Sequence, residues 1–256
     1  QSVFAGARVE VFASSADASG FGEGQTYLGA LSTDASGNFS GTITMPLAVL
    51  RMGTVLTGTA TDASGNTSEF GANFSNLVAD MVVNSSADGA DATPGDGLCE
   101  TSTAGQCTLR AAIQELNAWS SLVSAPGVVF ALPGCSAGGQ VACRISPSTP
   151  LPTVTRAMAI DGSTQAGFST ARHDPIVEVS GATAPANTTG LVVSADGVSV
   201  RGLVLNGWGS HGISLGGSGN TVAGNWLGLN ATGGAAAANL GNGIIVMGSG
   251  NRVGGS

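Results

Sequence analysis

One pattern, written three times between Gly190 and the end of the chain, constrains this protein more than any other feature. GLVVSADGVSVRG from Gly190, GISLGGSGNTVAG from Gly212 and GIIVMGSGNRVGG from Gly243 agree at six positions. Gly190, Gly212 and Gly243 begin the units, and Leu191, Ile213 and Ile244 follow them. Val193, Leu215 and Val246 come next, then Gly197, Gly219 and Gly250. Val200, Val222 and Val253 precede the closing Gly202, Gly224 and Gly255. A repeat of this kind is one supersecondary unit stacked on copies of itself.

Its content identifies the unit as strands. Apolar residues alternate with small or polar ones, and no ten-residue helical pattern interrupts them. The first spacing (190 to 212) suits one turn of a coil of three short strands and their bends. The second (212 to 243) is the same coil carrying an insertion, Ala231–Asn239. Coils stacked at the strand spacing of about 4.8 Å superpose matched side chains. Val200, Val222 and Val253 are then expected to form an interior ladder. Asn220 and Asn251 form a second, their amides satisfying turn backbone groups. The expected architecture for residues 128–256 is a right-handed parallel β-helix, with GVVFALPG, CRISP, AMAIDGS and IVEVSG as irregular first coils. Residues 1–77 read differently. ARVEVFASS, QTYLGALSTD, GNFSGTITM, TVLTGTATD and SEFGANFS are strands at sandwich-like spacing, separated by turns. The turn DASGN occurs at Asp34–Asn38 and again at Asp62–Asn66, where Asp favours an Asx-turn and Gly a positive φ.

Composition narrows the function. The chain has 256 residues, 42% hydrophobic and only 9% charged, with 41 glycines and a formal net charge of −8. Its hydrophobic content argues against disorder. All eight basic residues are arginine, and scattered arginines in an acidic chain offer no stripe for nucleic acid. No apolar run approaches the ~20 residues needed to span a bilayer. The first residues do not read as a signal peptide, and the expectation is that the sequence starts downstream of one or belongs to something longer. The cysteines form two local pairs, Cys99 with Cys107 and Cys135 with Cys143, each bracketing a Gly-rich turn. Of three connectivities the local one is favoured, and zinc-type spacing is absent. Structural disulfides imply an oxidising compartment, hence secretion, and each loop closure contributes about 2–3 kcal/mol.

Between the two β-rich regions lies residues 78–127. VADMVVNSSADGADATPGDGLCE gives a strand at Met81–Val83 and an acidic loop, then CTLRAAIQELNAW. Leu109, Ala112, Ile113 and Leu116 fall at helical spacing with Thr108 as N-cap. Oxygen-rich loops suit calcium. The candidate ligands are Asp88, Asp91 and Asp96, with Glu100 nearby, and separately Asp62, Asn66 and Glu69. The bland reading is a solvated acidic loop. Catalytic constellations are thin: from Gly190 onward the ionisable residues are Asp196, Arg201, His211 and Arg252. Glycoside hydrolysis needs paired carboxylates, and lyase chemistry an activated base. Asp161 reads as a turn residue, His173–Asp174 as an accidental pair, and His211 as a surface turn residue.

Two segments resemble known families. GEGQTYLG, STDASGNF and TATDASGNTSEF (Gly22–Gly29, Ser32–Phe39 and Thr59–Phe70) resemble bacterial Ig-like domains. Such domains carry another strand before the VEVF strand, so here it is short or missing. Comparable turns bind calcium between Ig-like repeats of some adhesins. D-G-x-C-x(7)-C-T-L-R-A-A-I-Q-x-x-N resembles the CSLREA module, with Thr108 for its first serine and Ala111 for its glutamate. AIDGSTQAGF (Ala159–Phe168) resembles the segment C-terminal to that module, and the module itself precedes β-helices in secreted and surface proteins. The repeat and these resemblances together lead to the expectation of an all-β protein: an Ig-like β-sandwich, a capping helix, and a parallel β-helix expected to be truncated at its C-terminus. With the thin catalytic constellations, the expected role is that of a non-enzymatic bacterial surface stalk, adhesin, matrix or filament component whose partners are surface or matrix proteins or glycans. The competing expectation is a polysaccharide-binding or polysaccharide-degrading β-helix protein with its cleft elsewhere. Head-to-tail self-association through strand addition is set against fragment boundaries at both ends.

Overall fold

The computed structural model describes residues 5–14, 19–43, 55–74, 80–119, 127–135, 143–169, 171 and 174–255. The chain divides into two compact units, Gln1–Val78 and Ala79–Ser256. It is predominantly β, and α1 (Leu109–Ala118) is the only α-helix among the described residues.

The first unit is built on β1 (Arg8–Ser14), β2 (Thr26–Ser32) and β3 (Val55–Thr61), antiparallel in the order β2-β1-β3. Val9 pairs with Leu31 on one side and Ala60 on the other, and a register shift falls between Val11 and Phe12. Both DASGN turns close alike: the Asp34 N–H donates to Asn38 O at 2.7 Å and the Asp62 N–H to Asn66 O at 3.0 Å. Two expected strands are not formed as regular ladders. Gly37–Ile43 forms no strand ladder. The stretch after the second turn runs along β3 through separate hydrogen bonds, Gly71 N to Gly58 O and Phe74 N to Leu56 O, each 2.8 Å. Glycines at 58 and 71 supply no side chains to pack at that crossing, which weakens regular pairing. Residues 1–4, where a preceding strand would lie, fall outside the described residues.

Among its described residues the second unit forms three parallel sheets visited in turn. The largest contains β4 (Met81–Val83), β5 (Gly127–Phe130), β7 (Ala159–Asp161), β10 (Ser199–Arg201), β13 (Thr221–Ala223) and β16 (Arg252–Val253). The next contains β6 (Cys143–Ile145), β8 (Val177–Ser180), β11 (Leu203–Asn206) and β14 (Trp226–Leu227). The last contains β9 (Leu191–Val193), β12 (Ile213–Leu215) and β15 (Ile244–Val246). Short strands result from glycine punctuation. Gly197, Gly219 and Gly250 share φ of 68°, 65° and 64°, a left-handed bend open to glycine at little cost.

The register superposes the matched residues of the repeat. Met81, Val128, Ile160, Val200, Val222 and Val253 are successive partners in one ladder. Leu191, Ile213 and Ile244 form another, as do Val193, Leu215 and Val246. The first five members of the long ladder are at most 4% exposed, whereas Val253, on the edge strand, is 51% exposed. Each fully buried side chain contributes about 1.5–3 kcal/mol. The asparagine ladder forms too: Val198 N donates to Asn220 Oδ1 at 2.7 Å, and Asn220 N to Asn251 Oδ1 at 2.8 Å. Asn251 Nδ2 in turn donates to Gly217 O, but Asn220 Nδ2 is buried without a partner.

Helix α1 begins at Thr108, whose Oγ1 accepts from the Ala111 N–H at 3.0 Å. Its stripe of Leu109, Ala112, Ile113 and Leu116 is buried, and the helix packs on β4 and β5. Cys99 is bonded to Cys107 and Cys135 to Cys143, with Cα separations of 5.1 and 5.5 Å. No described helix is long and apolar enough to cross a membrane.

Candidate functional site

The densest polar constellation surrounds α1 and the acidic loop before it. Arg110 is 9% exposed. Its Nε and Nη2 donate to the Asp88 carboxylate at 2.9 and 3.1 Å, and Nη1 and Nη2 donate to the carbonyls of Pro150 and Thr149. Asp88 also accepts from the Ser148 N–H. Gln114 Oε1 accepts from the Asp91 N–H at 2.9 Å. Asn117 bonds Thr153 O and Thr155 N at 2.7 and 2.9 Å. The polar residues of the helix therefore tie its flanking loops to it.

Glu115 is the member that sequence reading missed. It is fully buried, and its carboxylate accepts from the N–H groups of Gly95 and Gly97, the latter at 2.6 Å. Burial raises its pKa, the two backbone donors oppose that rise, and the negative charges of Asp91 and Asp96 add to it. Burial likewise raises Asp91, whose Oδ1 accepts from the Thr93 N–H. The signal was present: Glu115 lies three residues after Ala112, on the flank of the apolar stripe.

The six candidate calcium ligands are already engaged or stand apart. Asp88 is engaged by Arg110 and Ser148, Asp91 by Thr93 and Glu100, and Asp96 Oδ1 by the Leu98 N–H. In the first unit, Asp62 Oδ1 accepts from the N–H groups of Ser64 and Asn66, and its Oδ2 from Asn66 Nδ2 at 2.9 Å. The Asn66 amide, then the backbone donors, lowers the Asp62 pKa, as the Asn38 N–H does for Asp34. Glu69 is exposed. Among the described residues no three His, Cys, Asp or Glu side chains converge as a metal set.

Carboxylates on the parallel sheets are held in pairs. Asp161 ends β7, accepts from the Ser163 N–H, and faces Arg201, its ladder partner, with Nη2 at 2.5 Å from Oδ2. Glu178, 1% exposed, lies opposite Arg144, which donates from Nε and Nη2 at 2.7 and 3.0 Å. Asn206 Nδ2 donates to the same carboxylate and to Leu229 O, both at 2.8 Å. The hydrogen bond and charge of Glu178 raise the Arg144 pKa. Asp196 accepts from Ser218 N, and His211 Nδ1 from Asn242 N at 3.0 Å. His173 lies outside the described residues.

The first unit has an apolar groove of about 1070 Å³ lined by Val9, Val11, Leu56, Phe21, Phe39 and Phe74 among others. Those three phenylalanines are exposed. The chain matches no family, no curated protein and no solved structure in comparisons with known proteins.

Proposed function

We propose that this chain is a non-enzymatic, secreted bacterial surface protein that acts as a stalk, adhesin or matrix component. In this reading the first unit is an Ig-like β-sandwich and residues 78–127 are a CSLREA-like cap. The three parallel sheets are the sides of a right-handed parallel β-helix. One observation carries the functional part: the ion pairs of the parallel sheets, Asp161 with Arg201 and Glu178 with Arg144, join neighbouring layers. A glycosidase instead needs two carboxylates about 5–10 Å apart across a substrate cleft. Two local disulfides support an oxidising, extracellular setting. Surface or matrix proteins and glycans are the partners, and calcium at the acidic loop or at Asp62, Asn66 and Glu69 requires the engaged side chains there to exchange their present hydrogen-bond partners for the ion.

The test pairs binding with turnover. The purified chain is applied to immobilised matrix proteins and glycans, and separately incubated with neutral and acidic polysaccharides. Saturable binding with intact polysaccharide supports the scaffold. Release of reducing ends or unsaturated uronides would replace it with the carbohydrate-active reading.

A further inference from the structure

Six asparagines stand in the pattern Asn-x-Ser/Thr: Asn38, Asn66, Asn73, Asn84, Asn187 and Asn230. Asparagine in that pattern is the acceptor of N-linked glycans, which are bulky and need an exposed site. Folding leaves the six unequal. The Asn38 and Asn66 side-chain amides donate to the carboxylates of Asp34 and Asp62. Asn73 Oδ1 accepts from the Gly22 N–H at 2.7 Å. Asn84 has both side-chain ends occupied, accepting from the Cys107 N–H at 2.9 Å and donating to Gly105 O at 2.8 Å. Asn230 Oδ1 accepts from the hydroxyl of its own motif, Thr232 Oγ1, at 3.1 Å, and from the Ala235 N–H. Asn187 differs. It is exposed, and neither its side-chain amide nor the Thr189 hydroxyl has a partner among the described residues.

The turn that carries Asn187 lies between β8 and β9. Strands β6 and β11 flank β8 on either side, so the turn belongs to an inner layer. Asn187 has a φ of 60°, the only positive value of a non-glycine residue among the described residues, in a region where asparagine is enriched. The next layer fixes the backbone here. The Ser210 N–H donates to Thr188 O at 3.0 Å, and a Cβ on Gly209 would stand 2.7 Å from Asn187 N. Thr188 is buried, while Asn187 before it is exposed and Thr189 after it partly so. We infer that Asn187 is an N-glycan acceptor in the folded chain. Its Nδ2 attacks the anomeric carbon of a sugar carried on a diphosphate, either lipid-linked or nucleotide-linked. The new C–N bond replaces the C–O bond to the diphosphate, which leaves with the electron pair, and a base of the transferase takes one amide proton. Thr189 supplies the hydroxyl that the transferase reads two residues on. This inference does not depend on the proposed surface role.

The folded whole chain is incubated in two arms to test it. One holds an oligosaccharyltransferase with a lipid-diphosphate-linked oligosaccharide, the other a soluble N-glycosyltransferase with a nucleotide-diphosphate sugar. An Asn-x-Thr peptide in each tube shows that the enzyme is active. Intact mass should rise by one glycan in at least one arm, and peptide mapping should place it on Asn187. Asn187→Gln and Thr189→Ala should each abolish the gain, whereas Thr189→Ser should keep it. The reduced, unfolded chain should gain several glycans, because every motif is then free. A folded chain left unmodified beside a modified peptide in both arms overturns the inference. So does modification of the folded chain at other motifs in preference to Asn187, or a folded chain modified as widely as the unfolded one.

Discussion

Arg144 and Glu178 lie directly opposite one another on neighbouring parallel strands, joined by two hydrogen bonds of 2.7 and 3.0 Å. The carboxylate is buried while the arginine side chain is 57% exposed, so the pair is asymmetric. Removing the arginine strands a buried charge. For a fully buried pair that costs about 3–5 kcal/mol, and solvent around Arg144 reduces it to about 1–3 kcal/mol. Arg144→Ala should lower the melting temperature of the second unit, and adding Glu178→Leu should recover much of the loss. Equal melting of Arg144→Ala and parent would mean that the pair contributes nothing.

Val222 sits between Val200 and Val253 in the long ladder and is 2% exposed. An aspartate there places an unpaired charge against buried valines, at a cost above about 4 kcal/mol. Circular dichroism of Val222→Asp should show the second unit losing its strand signal at a much lower temperature. The exposed Val253, replaced in the same way, should change melting little. Matching losses at the two positions would contradict the register.

The pH dependence arises from Glu115 and Asp91, whose pKa values burial raises. The folded state then holds these protons more tightly than the unfolded chain. Their stabilising contribution is complete below the ordinary carboxylate pKa and is lost as pH rises through the raised values. The second unit should therefore gain stability on acidification through that window. Glu115→Gln should flatten the gain, leaving the share of Asp91. Parallel melting-versus-pH curves for parent and variant would refute this assignment.

Reduction of the disulfides should destabilise the second unit, by about 2–3 kcal/mol for each short loop reopened. Cys99→Ser with Cys107→Ser isolates the loop beside α1, and chemical denaturation measures the loss. Calcium at the proposed loops has a separate signature: EDTA lowers the melting temperature and added calcium restores it. Unchanged melting in millimolar calcium leaves the Asx-turns and the Asp88–Arg110 pair as the whole account of those carboxylates.

Features that repeat, or that lie close along the chain, were legible in the sequence alone. Matched glycines and valines in three units specified which residues stack, and the structure pairs Val200 with Val222 and Val222 with Val253. Helical spacing after Thr108 specified α1 and its cap, and eight-residue loops specified the cysteine pairs. The partners of the polar residues emerge only on folding. Arg144 meets Glu178 across 34 residues, Arg201 meets Asp161 across 40, and Arg110 meets Asp88 across 22. Before Gly190 the layers are separated by loops of unequal length with no shared pattern. Alternation therefore tells which face a side chain occupies, but not which residue the next layer sets beside it. The same limit hid Glu115. Local spacing placed it on the flank of a helix, and only the folding of Gly95 and Gly97 onto that flank enclosed its carboxylate.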